Sequence, residues 1–164
     1  MKKLAGMTAG LLMMATVPAG ADGLVQAKLL SLDMARTIAG AAIDACRKDG
    51  YQVSVVVTDR SGETLVVMRD VYSNRYFTQL ARGKTQAVLM ANTPSAELRK
   101  NRADMVSELN QLDGVMVLAG GVPVQVAGSL VGAVGVSGAP GGDLDEACAQ
   151  AGVDAVQEEL DFAE

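Results

Sequence analysis

The sequence has no histidine at any of its 164 positions. That absence removes Ser-His-Asp and Cys-His nucleophilic catalysis, the usual zinc sites and the commonest axial ligand of haem iron. Cysteine occurs only twice, as Cys46 and Cys148. Both lie in helical patterns, and they fit either one disulfide or two buried thiols. No GxxxxGK[ST] phosphate loop occurs, and there is no lysine or arginine cluster. With 14 basic against 19 acidic residues the net charge is −5, so nucleic acid and anionic membranes are poor partners. No internal repeat and no linker divide the chain.

Residues 1–21 have the layout of a secretory signal peptide. Lys2 and Lys3 form a basic start, Leu4 to Val17 an apolar run too short for a comfortable membrane span, and Ala19-Gly20-Ala21 a small-x-small cleavage site. The expectation is a mature chain from Asp22 to Glu164, a single domain carrying a net charge of −7, periplasmic or secreted, and free of the membrane once cleaved.

Leu29 to Asp49 predicts an amphipathic helix. Leu32, Ala35, Ile38, Ala39, Ala42, Ile43 and Cys46 form one stripe, Ser31 or Asp33 is the cap, and Gly50 the stop. Gln52–Thr58 and Thr64–Arg69 predict a hairpin turned by Asp59-Arg60-Ser61-Gly62. A second helix carries Phe77, Leu80, Ala81, Lys84, Ala87, Val88 and Ala91 and ends at Asn92-Thr93-Pro94, where Thr93 can cap a shorter helix with Pro94 first. Residues 95–112 contain short, charged helical pieces. Val115–Leu118, Val122–Val126 and Leu130–Val136 read as three further strands, the last two joined by Ala127-Gly128-Ser129. A final helix from Leu144 to about Glu159 has Asp143 as its cap and Glu146 in capping-box position. Hairpin connections make the sheet antiparallel, so the fold class is α+β, about five strands carrying helices.

Between the last strand and the last helix lies Gly138-Ala139-Pro140-Gly141-Gly142. Its backbone N–H groups could hold an anionic group, but a capped strand-to-helix turn explains the same glycines, and Asp143 favours the turn. Gly120-Gly121-Val122-Pro123 allows close backbone approach at a strand entry. Asp145, Glu146, Glu158 and Glu159 read as solvated helix surface.

The segments LSLDMARTIAGAAIDACRKDGYQVSVVVTDRSGETLVVMRD, GKTQAV and GGVPVQVAGSLVGAVGVSGAPGGDLDEACAQAGVDAV resemble the GlcG/HbpS-like haem-binding family, over about Leu30 to Val156. A related module forms the C-terminal domain of PduO-type corrinoid adenosyltransferases. The resemblance implies a profilin-like five-stranded antiparallel sheet flanked by helices, assembly into homo-oligomers, and a pocket for haem or another small ligand. Where the family often has Arg-Met-Asp-Gly-Ala, this chain has Arg69-Asp70-Val71-Tyr72-Ser73, a bulkier pocket rim.

On that resemblance the candidate ligand-binding residues are Arg69, Asp70, Tyr72, Lys84, Gly120 and Gly121. Lys84 interrupts an apolar helix face, so it either meets a ligand carboxylate, pairs with Asp70, or snorkels to solvent. Arg69 and Tyr72, with Arg75 close behind, suit an anionic aromatic ligand. Without histidine, iron ligation would fall to Met68, Met90, Met105, Met116, Tyr51, Tyr72, Tyr76 or a cysteine. Methionine at such positions otherwise fills core. The expected function is an exported, non-catalytic module that binds haem or a related organic anion. The alternatives are an enzyme or accessory subunit acting on a small organic acid, with Lys84, Asp70 and Tyr72 as its polar groups, or a partner of an exported oxidoreductase.

Overall fold

The computed structural model describes residues 25–162. The expected signal peptide and cleavage site lie outside them. The first helix, α1 (Leu32–Lys48), is capped by Ser31, whose side chain accepts the Met34 N–H at 3.2 Å. Its apolar stripe is buried from Ala35 to Cys46, as the three-and-four spacing requires, while Leu32 stays exposed. Strands β1 (Ser54–Asp59) and β2 (Thr64–Arg69) form the expected hairpin. The Asp59 carboxylate organises the turn by accepting the N–H groups of Ser61 and Glu63.

Helix α2 (Arg75–Ala91) is capped by Asn74 and followed by α3 (Ser95–Asn101) and the single turn α4 (Val106–Leu109). Pro94 stands at the N-cap of α3 rather than inside it, and the Thr93 hydroxyl donates to the Glu97 carboxylate. Strands β3 (Gly121–Val126) and β4 (Ser129–Ser137) meet through Ala127 and Gly128, both at positive φ, the geometry that matches strand twist in a two-residue hairpin. The last elements are α5 (Gly142–Asp154) and α6 (Gln157–Asp161).

The sheet has four strands in the order β2-β1-β4-β3, all antiparallel, so the α+β class holds and the count of five does not. The missing strand is Val115–Leu118. Its backbone is engaged away from the sheet: the Met116 N–H donates to Gly83 O at 3.0 Å, and Val117 N–H to the Asn110 side chain at 2.7 Å. Val117 is buried all the same, in a small cluster with Ala87 and Leu98. An apolar run of that length is buried equally well against helices.

The two faces of the sheet differ. On one, Val55, Val57, Val122, Val124, Val134 and Val136 pack with Ile38, Ile43 and Val153 of α1 and α5. A disulfide between Cys46 and Cys148, with Cα atoms 5.4 Å apart, ties those two helices together. On the other face α2 lies almost directly on the strands. Gly121 and Gly135 are register partners, and a Cβ on Gly135 would overlap the Ala81 carbonyl oxygen of α2. These glycines form the notch into which the helix backbone sinks.

The last helix also differs from expectation. Gly141 is the N-cap of α5, and Asp143 makes no capping bond. The chain turns at Ala155-Val156 into α6, which brings Val156 and Leu160 into the main core.

Candidate functional site

Helix α2 divides the functional side chains between two stripes. Ala81, Lys84, Thr85 and Val88 face the sheet; Tyr76, Gln79, Leu80 and Gly83 face outward at the same three-and-four spacing.

On the inner stripe, Lys84 Nζ donates to Asp145 Oδ2 at 2.8 Å and to the Val136 carbonyl at 2.7 Å. The two side chains are only 3% and 5% exposed, so this is a buried ion pair. Burial lowers the pKa of Lys84 and raises that of Asp145, and in each case the charge of the partner opposes the shift. The other carboxylate oxygen of Asp145 accepts the Ala139 N–H at 2.9 Å. The glycine-rich loop therefore does hold an anion, and the anion is the chain's own Asp145. Glu146 reaches the other way, its carboxylate within 3.3 Å of the Ala96 and Gly120 N–H groups. Asp145 is thus no solvated surface residue, and a buried lysine on an apolar face was the signal that an acid had to stand opposite it.

Gly120 closes over this pair at φ +120°, and a Cβ there would lie 2.5 Å from Lys84 Nζ. Gly121 donates its N–H to Ser95 Oγ at 2.8 Å. Asp70, the other expected partner of Lys84, is bound elsewhere. One of its oxygens takes both Arg47 Nε (2.8 Å) and Nη2 (2.5 Å), and the other takes the Val53 N–H at 3.1 Å. Asp70 is buried there as an anchor between α1 and the hairpin. Arg69 ties its guanidinium to the carbonyls of Ser73 and Asp70, while Tyr72 stands 85% exposed next to exposed Val71. The six candidates thus fall into three places: Lys84, Gly120 and Gly121 under the sheet-facing side of α2, Asp70 beside α1, and Arg69 with Tyr72 at the open edge.

The outer stripe of α2 borders a cleft of about 500 Å³ whose far wall is residues 110–116. Tyr76, Leu80, Gly83, Leu112, Val115 and Met116 line it. At Gly83 the helix touches that wall, since a Cβ would come within 2.6 Å of Met116 Cβ. The phenol of Tyr76 accepts a hydrogen bond from Arg75 Nη2 at 3.0 Å, and the same guanidinium sits 4.8 Å from its ring centroid. Leu80 was expected on the same face as Lys84 and instead lines the outer cleft; Gly83 drew no reading, although a mid-helix glycine can mark a close approach. Leu112 carried no signal.

Of the expected iron ligands, Tyr76 and Met116 share this cleft. Met68 and Met90 are surface-exposed, and Tyr51 packs against the main core. Neither cysteine is free, because the two bond to each other. Among the described residues no three His, Cys, Asp or Glu side chains converge into a metal site.

Residues 30–154 match the family model described as "Haem degrading protein HbpS-like". Protein GlcG of Escherichia coli K12 is 33% identical over 111 residues, 66% of this chain and 81% of that protein. The crystal structure of a double mutant of HbpS from Streptomyces reticuli superposes with a TM-score of 0.78 at 40% identity, covering 87% of this chain and 97% of that one. The PduOC:heme complex shares the fold, with a TM-score of 0.69 at 24% identity over 78% of this chain and 95% of its own.

Proposed function

Because the chain belongs to the HbpS-like family, we propose that it binds haem or a closely related organic anion in the cleft between α2 and residues 110–116. The cleft carries the reading: it is open to solvent, bordered by Leu80, Leu112, Val115 and Met116, and contains side chains able to meet iron. An apolar wall suits a porphyrin face, and an open mouth leaves the propionates hydrated. When bound, haem would supply redox and ligand-binding chemistry at its iron; the protein supplies the pocket and the orientation. The matching family is one of haem-degrading proteins and a domain of the same fold forms a complex with haem, which makes haem the first ligand to try.

Binding without turnover is the activity proposed: the chain has no histidine to act as a general base. Export is part of the reading: the Cys46–Cys148 bond is at home in an oxidising compartment. So is self-association, with the apolar edge at Val67, Val71 and Tyr72 as the surface it would cover.

Hemin titration of the mature protein tests the central claim. A saturable shift of the Soret band is expected, lost when Leu112→Trp on the exposed wall fills the cleft. Absence of saturation in the unmodified protein sinks the reading. Steady bleaching of the bound band with reductant or peroxide would make the protein an enzyme on haem. Light scattering checks the oligomer, and N-terminal sequencing of exported protein checks cleavage before Asp22.

A further inference from the structure

We infer that Tyr76 is the axial ligand of the bound iron, with Arg75 as its positioning partner; this rests on haem occupying the cleft as proposed above. The chain has no histidine, and its two cysteines are consumed in the disulfide. Of the tyrosines, Tyr51 packs into the core and Tyr72 projects into solvent, whereas Tyr76 lines the cavity. Met116 and the Asp113 carboxylate also line it, on the opposite wall, and of the three only Tyr76 has an arginine hydrogen-bonded to its donor atom.

Phenol oxygen and thioether sulfur differ in the iron they prefer. A hard, anionic oxygen suits ferric iron, the state expected in an oxidising compartment, and a thioether suits the softer ferrous ion. The geometry around Tyr76 favours the oxygen further. Arg75 already donates to it at 3.0 Å, so negative charge that develops on Oη when the metal takes its lone pair has a guanidinium beside it. Arg75 lies over the ring as well, which holds the phenol in one orientation at the start of α2. The Asn74 cap fixes the backbone there, its side chain accepting the Tyr76 N–H at 2.9 Å. The ligand therefore sits on a capped helix turn, not on a loose loop.

Tyr76 would hold ferric iron through its phenolate oxygen, its proton passing to solvent, and Arg75 would stabilise the charge on that oxygen.

Hemin titrations of the mature protein and of Tyr76→Phe, Arg75→Ala and Tyr72→Phe decide the matter, read by absorption, resonance Raman and affinity. The unmodified complex is expected to show phenolate vibrations and a phenolate-to-iron charge-transfer band. Tyr76→Phe abolishes both and weakens binding tenfold or more. Arg75→Ala keeps the band but shifts it and weakens binding several-fold, which a merely structural arginine would not do. If Tyr76→Phe binds with an unchanged spectrum, or if Tyr72→Phe is the variant that loses the band, the ligand assignment fails while haem binding in the cleft stands. If the unmodified protein binds no hemin, both fail. Tyr76 is largely exposed, so its phenylalanine variant is expected to fold, and circular dichroism verifies this.

Discussion

The two faces of the sheet are built on opposite plans. The α1/α5 face is filled with valine, isoleucine and leucine and closed by a disulfide; it holds together by apolar area withdrawn from water. The α2 face is made of small residues, Ser54, Gly121, Ala133, Gly135 and Ser137, with Val56 and Thr58 of β1 beside them; a helix backbone rests directly on its glycines, and a buried Lys84–Asp145 pair bridges it to α5. The first face suffers when a side chain is made smaller, the second when one is made larger or a charge loses its partner. Stability comes chiefly from the first, and the cleft belongs to the helix that rests on the second.

The largest effect is expected at the ion pair. Asp145→Ala leaves Lys84 charged and buried, costing about 4 kcal/mol in urea unfolding, whereas Lys84→Met with Asp145→Leu together come within about 1 kcal/mol of the parent. A double variant as damaging as the single would show that the pair is not a charge balance. Replacing Cys46 and Cys148 by alanine removes a link across 102 residues and is expected to lower stability by about 3 kcal/mol.

Next comes a matched pair of changes to adjacent residues of β4. Val134→Ala opens a void on the α1/α5 face and costs about 2 kcal/mol. Gly135→Ala forces α2 off the sheet and costs a similar amount, although it adds a methyl group. Should Gly135→Ala prove neutral, the contrast between the faces collapses.

Smaller, and of definite sign, is a pH effect. Asp145 is raised, so just above the ordinary aspartate range the native state holds more protons than the unfolded chain, and stability falls as pH rises through that window. Lys84 is lowered, so just below the ordinary lysine range the unfolded chain holds more, and stability climbs as pH rises. Both slopes should vanish in the Lys84→Met, Asp145→Leu double variant when denaturation midpoints are followed against pH. Smallest of all, Tyr72→Ser at the open edge is expected to leave monomer stability within about 0.5 kcal/mol.

What could be foreseen from sequence was whatever depends on short-range pattern. The α1 stripe, the Asp59-to-Gly62 turn and the Ala127-Gly128 hairpin each carry their geometry within a few residues. Val115–Leu118 was misread because a buried apolar run looks the same whether its N–H groups meet a strand or Gly83 of a helix. Asp143 and Asp145 share the first turn of α5, and only the position of Lys84, 61 residues earlier, decides which of them turns inward. The cleft was hidden for the same reason: its walls come from residues 76–83 and 110–116, which meet at Gly83, and no short-range pattern joins them. The structure brings Lys84, Gly120 and Gly121 together around an internal partner, Asp145, and gives Asp70 to Arg47.

The bond between Cys46 and Cys148 has one more consequence, for the order of events in the life of the chain. Cys148 is synthesised after every strand of the sheet, so the covalent ring can close only once the segments that form the hairpin, α2, β3 and β4 have all been made. Everything that borders the cleft lies inside that ring. A protease that cuts anywhere between the two cysteines leaves both pieces fastened to each other, and the nick shows on a gel only after a reducing agent is added.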